Sequence, residues 1–127
     1  MEKEIGFEFK GEEINLNVKE MNWFRKFIGL MFTKREKAKA LLFDFKKLGN
    51  LKIHSLFVSF PFIAIWLNNK NQVVDLRKIP PWKPSISSTK PFSKLIEIPI
   101  NQKYSKIIKD WQTFIFTKQY KWKELPF

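Results

Sequence analysis

The feature that most limits this chain is the length and period of its apolar runs. They are short, and several alternate every second residue. EIGFEFKGEEINLNVK is the clearest case: Ile5, Phe7 and Phe9 share one face, and Ile14, Leu16 and Val18 share another. The two runs flank Lys10-Gly11-Glu12. Side chains on a strand alternate between faces, so this pattern predicts a β-hairpin around a short glycine-containing loop.

The same reasoning runs down the chain. ALLFDF, FIAIWL, QVVDLRKI and KLIEIPI read as further strands. FIAIWL and QVVDLRKI form a second hairpin, with Asn68 and Asn69 suited to the positive φ angles of its turn. Leu51 to Val58 reads as a buried strand interrupted at Pro61. PPWKPSISSTKPF carries four prolines and four serine or threonine residues, so it predicts a long irregular loop.

Helical spacing occurs twice. Asn22 is a candidate N-cap for a short helix through Trp23, Phe27, Leu30 and Met31. Tyr104, Ile107, Ile108 and Trp111 form a second stripe. Phe114, Phe116, Tyr120 and Trp122 then return to period two and predict an amphipathic strand. No βαβ alternation and no internal repeat occurs. The expected fold is mainly β, a β-rich α+β domain. It is a small antiparallel sheet or partly open β-barrel of seven to eight strands with one or two short helices. A chain of 127 residues suffices for one domain and one core, read as residues 1–127.

Composition limits the chemistry. With no cysteine, thiolate metal sites, disulfides and a cysteine nucleophile are excluded. Four glycines leave no Gly-rich phosphate cradle, and no Gly-x-Ser-x-Gly elbow is present. The longest apolar run, Leu56 to Leu67, is short of the roughly 20 residues of a membrane-spanning helix. The N-terminus lacks the pattern of a signal peptide. The expectation is a soluble, cytoplasmic domain without cofactor or metal.

Charge is the strongest functional signal. The net charge is +12 and uneven: residues 1–20 carry −3 and the rest +15. Such an excess attracts nucleic acid or another polyanion. A lysine-rich composition bias is the plainer alternative. Basic residues interleave with aromatics in two segments, and two more flank the first helix. Arg25, Lys26, Trp82, Lys83, Lys118, Tyr120, Lys121 and Trp122 are therefore the candidate nucleic-acid-binding residues. No RNA-recognition, zinc-finger or helix-turn-helix signature accompanies them.

His54 is the only histidine. It stands in IHSLFVSFPF, an almost wholly apolar run. A hydrogen-bonded core histidine is the plain reading, and the alternative is a small-molecule or peptide pocket of His54, Phe57 and Trp82. A hydrolase-type enzyme would use His54 with Asp75 or Glu97. Glu97, between Ile96 and Ile98, reads as solvent-facing or ion-paired. Non-catalytic binding is the expectation, with no catalytic residue assigned.

The order of motifs resembles one known family. FRKFIGLMF, with Gly29, Leu30, Met31 and Phe32, resembles the helix signature of the archaeal and bacterial family called domain of unknown function number 192. Leu41-Leu42-Phe43, then Ile53, His54, Phe57 and Pro61, then Val73-Val74 follow in the family's order. Pro81-Trp82-Lys83 and Leu95-Ile96-Glu97-Ile98-Pro99 complete it. The resemblance spans about residues 14–117 and leaves 118–127 as a C-terminal extension. It implies a small, mostly β fold and no reaction. Three positions depart from the family pattern. Ile63 stands where an acid is usual, Val58 where methionine is frequent, and Ile100-Asn101 where a glycine follows the closing proline.

Overall fold

A computed structural model describes residues 2–9, 11–21, 30, 31 and 33–118, with side chains from 112 onward excepted. Six strands form one sheet: β1 (Glu2–Phe9), β2 (Glu12–Glu20), β3 (Leu41–Gly49), β4 (Phe62–Leu67), β5 (Val73–Ile79) and β6 (Phe92–Pro99). Among the described residues one α-helix follows, α1 (Ser105–Lys118). The sheet order is β1-β2-β3-β6-β4-β5. It curls into a half-barrel. The barrel begins to close at one corner, where Glu8 bridges Gln72 and Glu8 N donates to Asn71 O at 2.9 Å.

Both hairpins form as the sequence predicts. In the first, Phe9 faces Glu12 across a two-residue loop, where Gly11 takes φ +81°. That angle is inexpensive only for glycine. In the second, β4 and β5 pair antiparallel. The positive φ of their turn falls on Asn71, at 59°, rather than on Asn68 or Asn69. Asn68 acts through its side chain instead, accepting from Lys70 N and Gln72 N at 2.9 and 3.0 Å. The Pro-rich stretch between β5 and β6 is irregular, as expected.

Three expectations are corrected. The sheet is mixed, because β2 and β3 pair in parallel. The long connection between them makes that possible, since parallel neighbours need a crossover and cannot share a tight turn. Leu51–Val58 is not a strand; only Ile53 makes a bridge there, with Ile86. Thirdly, the predicted strand over 114–123 begins inside α1, which runs to Lys118. Adding a residue to a nucleated helix gains one hydrogen bond for each residue fixed, and the local alternation does not overcome that gain. Residues 119–123, and most of the expected helix over 22–33, lie outside the described residues.

The sheet is covered on both faces. On one, Ile5, Phe7, Leu16, Val18, Leu42, Ile63, Ile65 and Ile96 pack with Tyr104, Ile108 and Trp111 of the C-terminal segment. Phe7 and Trp111 meet edge-on with ring centroids 6.3 Å apart. The Tyr104 hydroxyl accepts from Ala40 N at 2.7 Å and fixes this segment to the start of β3. On the other face, Leu41, Phe43, Phe62, Ala64, Trp66 and Leu95 lie beneath Met21, Leu30, Val58, Phe60 and Ile86. Loops therefore provide much of the second layer. Phe7→Ala removes a ring buried against Trp111 and should cost about 3–5 kcal/mol. A urea titration followed by circular dichroism measures it as a lowered midpoint with an unchanged slope.

Candidate functional site

The loops over the second face carry the site. Residues 53–60 and 80–90 lie side by side, joined first by the two-way bridge between Ile53 and Ile86, with N···O distances of 2.9 and 2.7 Å. Ser55 supplies the rest. Its backbone N donates to Lys83 O at 2.8 Å, and its carbonyl accepts from Trp82 N at 2.9 Å. Its hydroxyl donates to Pro80 O and accepts from Lys83 N, at 2.8 and 2.7 Å. Ser55 is wholly buried. A buried hydroxyl without such partners would be strongly destabilising, so these bonds specify how the two loops sit.

A second polar cluster pins the later part of the 80–90 loop. Asp75 accepts from Thr89 N at 3.0 Å and from Leu76 N at 2.8 Å, and pairs with Arg77 Nη2 at 3.2 Å. Arg77 also donates to Ser87 O. Its guanidinium carbon lies 4.7 Å from the Trp66 ring centroid. Asp75 is ion-paired with Arg77, and its bond to Thr89 N holds the loop.

The outer ends of the two loops carry the aromatic pair. Val58 N donates to Ser55 O at 3.1 Å and closes a four-residue turn with Phe57 at its third position. Phe57 has φ 61°, in the left-handed region that glycine or asparagine usually fills in such turns. Trp82, after Pro80-Pro81, has φ 64°. For bulky residues this conformation is strained. Their rings meet edge to face with centroids 5.2 Å apart. They remain exposed, Phe57 by 47% and Trp82 by 54%.

His54 precedes this turn, half-buried, and its Nδ1 accepts from Leu56 N at 3.2 Å. That bond assigns the remaining ring proton to Nε2. Among the described residues no carboxylate pairs with His54. No group of three or more His, Cys, Asp or Glu is placed to hold a metal among them either.

The structure thus brings together His54, Phe57, Trp82 and Lys83, whose side chain is exposed. Lys118 lies far along the chain, at the last position of α1. Arg25, Lys26, Tyr120, Lys121 and Trp122 lie outside the described residues.

Glu97 corrects the sequence reading. It faces neither solvent nor a basic partner: it is 6% exposed and accepts no hydrogen bond from any described donor. Burial raises its carboxyl to about 8, so it is mostly protonated at neutral pH. The sequence did hold a sign of this. LIEIPI is apolar on both faces, which marks a central strand covered on both sides. On the opposite face of β5, burial lowers Lys78 to about 8, with the nearby Arg35 charge adding to the effect. Ser55 carried no signal in the sequence, because a serine in an apolar run does not reveal which backbone groups it reaches.

Fold and site define a small β half-barrel domain with an aromatic-bearing loop layer. The family profile described as "Uncharacterized ACR", domain of unknown function 192, matches residues 7–109. The chain belongs to this family. It is 33% identical over 75 residues to the UPF0127 protein PF1050 of Pyrococcus furiosus. That match covers 58% of this chain and 65% of the archaeal protein, just under two thirds of its length. Two crystal structures share the fold. One is a protein from Sinorhizobium meliloti described as a candidate transcription regulator, with TM-score 0.67, 17% identity and 84% of each chain covered. The other is a protein of unknown function from Novosphingobium aromaticivorans, with TM-score 0.62 and 12% identity, covering 84% of this chain and 78% of that one. Among the described residues no helix is long and apolar enough to cross a membrane.

The buried Glu97 has a pH signature. Its folded value, about 8, lies above the ordinary 4.5, so between these limits the folded chain holds a proton that the unfolded chain has released. Stability must then fall as pH rises through that window, by up to about 1.4 kcal/mol per unit from this group. Glu97→Gln removes the dependence. Urea midpoints at pH 5, 6.5 and 8 should show the variant gaining on the wild type at each step.

Proposed function

We propose that this chain is a non-catalytic binding module that docks an anionic partner, single-stranded nucleic acid, on the Phe57–Trp82 pair. The observation that carries the reading is the pairing of strain with exposure. Two large aromatic residues adopt left-handed backbone conformations, yet they remain about half exposed and are not packed into the core. Costly conformations of this kind cluster at ligand-binding positions. A half-exposed edge-to-face pair offers a flat ring on which an unstacked base can lie, worth about 1–3 kcal/mol per base. Lys83 beside it, and the +12 net charge, supply phosphate contacts and long-range attraction.

The catalytic alternative has less support, because His54 has its Nδ1 engaged by Leu56 N and no carboxylate partner among the described residues. A pocket for a small apolar molecule fits less well with two rings turned toward solvent.

Fluorescence anisotropy with labelled single-stranded DNA, RNA and duplex DNA tests the proposal at about 50 and 200 mM salt. Single strands should bind best, with affinity falling steeply between the two conditions. Trp82→Ala should weaken binding by about tenfold or more, in line with the loss of one stacked base. Absence of single-strand binding at low salt rejects the proposal.

A further inference from the structure

The turn that presents Phe57 is braced by the chain's one histidine. His54 Nδ1 accepts from Leu56 N at 3.2 Å, and Val58 N closes the turn onto Ser55 O at 3.1 Å. Leu56 and Phe57 are the two central residues of that turn. The imidazole bond therefore holds the residue that leads directly into the left-handed Phe57. Ser55, the first residue of the turn, is already fixed to Pro80, Trp82 and Lys83. The His54 bond adds a second hold, on the side nearer solvent.

The same device recurs at Asp44, Asn68 and Ser88. Asp44 Oδ1 accepts from Lys46 N at 2.9 Å, Asn68 Oδ1 from Lys70 N at 2.9 Å, and Ser88 Oγ from Lys90 N at 3.2 Å. Bonds from a side chain to the backbone two residues on set local turns. Lys46, bonded in this way, also takes a positive φ, 69°. At these three positions the acceptor is an oxygen with more than one lone pair. At His54 it is the single lone pair of a ring nitrogen. Imidazole is the side chain that ordinarily gains a proton between about pH 5 and 8. Nε2 already carries hydrogen, so a second proton enters only at Nδ1. It occupies the lone pair that the Leu56 N–H uses, and two N–H groups then oppose each other.

We propose that the His54–Leu56 bond is an acid-released latch on the Phe57–Trp82 pair. A proton from solvent at Nδ1 breaks the bond and the imidazolium turns away. The strained Phe57 then relaxes from its left-handed conformation. Its edge-to-face contact with Trp82, now 5.2 Å between centroids, opens with it. Raising the pH restores the bond and the pair. Among the described residues, the charged and titratable side chains on the elements around this turn are few. They are Lys52 on its own segment, Lys83 and Lys90 on the facing loop, and Glu97 with the Asp75–Arg77 pair on the sheet below. Glu97 also titrates near this range, its carboxyl raised to about 8 by burial, and Glu97→Gln removes it.

The test is ¹H and ¹⁵N NMR of the full chain from about pH 8 to about pH 5. Ring signals of the single histidine report its protonation. The Leu56 amide and the Trp82 indole N–H should shift in one transition with the same midpoint as the ring. Glu97→Gln should leave that transition in place. His54→Asn supplies an oxygen acceptor of the kind Asn68 uses, and it does not titrate, so Leu56 and Trp82 should keep their alkaline positions throughout. A ring that titrates while Leu56 and Trp82 stay unmoved overturns the proposal. So does a ring that stays neutral down to pH 5, or a transition that persists in His54→Asn. The wild-type comparison decides alone if that variant does not fold.

The effect on binding rests on the single-strand reading above, whereas the NMR transition does not. At fixed ionic strength, acidification should lower affinity for single-stranded DNA by up to about tenfold, the loss of one stacked base. Added positive charge alone would raise it, so a rise on acidification contradicts the latch. If the transition is present and no DNA binds at either pH, the latch stands and the single-strand reading fails. If DNA binds and the transition is absent, the latch alone fails.

Discussion

The site depends on one hydroxyl. Ser55 sits in an apolar run with no exposure, and its backbone and side chain make five hydrogen bonds to Pro80, Trp82, Lys83 and Val58. These bonds replace the strand pairing that residues 53–58 would otherwise make. They hold a loop layer on the sheet instead. Once that layer is fixed, Val58, Phe60 and Ile86 face the core, and Phe57 and Trp82 are left on the outer surface. The left-handed angles at both aromatics follow from the same arrangement, because each chain must turn sharply where Ser55 holds it.

Buried polar groups recur across this face as fasteners. Asp75 and Arg77 tie the 87–89 segment to β5 as Ser55 ties 80–83 to 55. A proline-rich loop has few ladder hydrogen bonds, so it needs such anchors to keep one conformation. Glu97 differs in kind. It fastens nothing, its burial costs stability as pH rises from the ordinary 4.5 toward about 8, and it lies opposite an alanine in the middle of the sheet.

Much of the fold could be read directly. The hairpin Glu2–Glu20 was legible because one residue in two is apolar, and the hairpin Phe62–Ile79 because two short apolar runs flank a polar, asparagine-rich turn. Leu51–Val58 was not legible as a loop. A continuous apolar run carries no period, and only the partners of Ser55 distinguish a covering loop from a strand. The 114–118 segment failed for the opposite reason, since a local alternation there was overridden by the helix beginning at Ser105. His54, Phe57 and Trp82 were named from their chemistry, and the fold gathers them through loops 25 residues apart in sequence. Their strain and exposure depend on tertiary contacts, so no sequence pattern announces them.

The loop layer holds Phe57 in a left-handed conformation that costs stability for a side chain of its size. Comparing Phe57→Gly with Phe57→Ala measures that cost most directly, because both lose the ring and only glycine is relieved of strain. In urea unfolding the glycine variant should be the more stable by about 1 kcal/mol. An alanine variant as stable as the glycine variant, or more so, would mean that Phe57 carries no such strain.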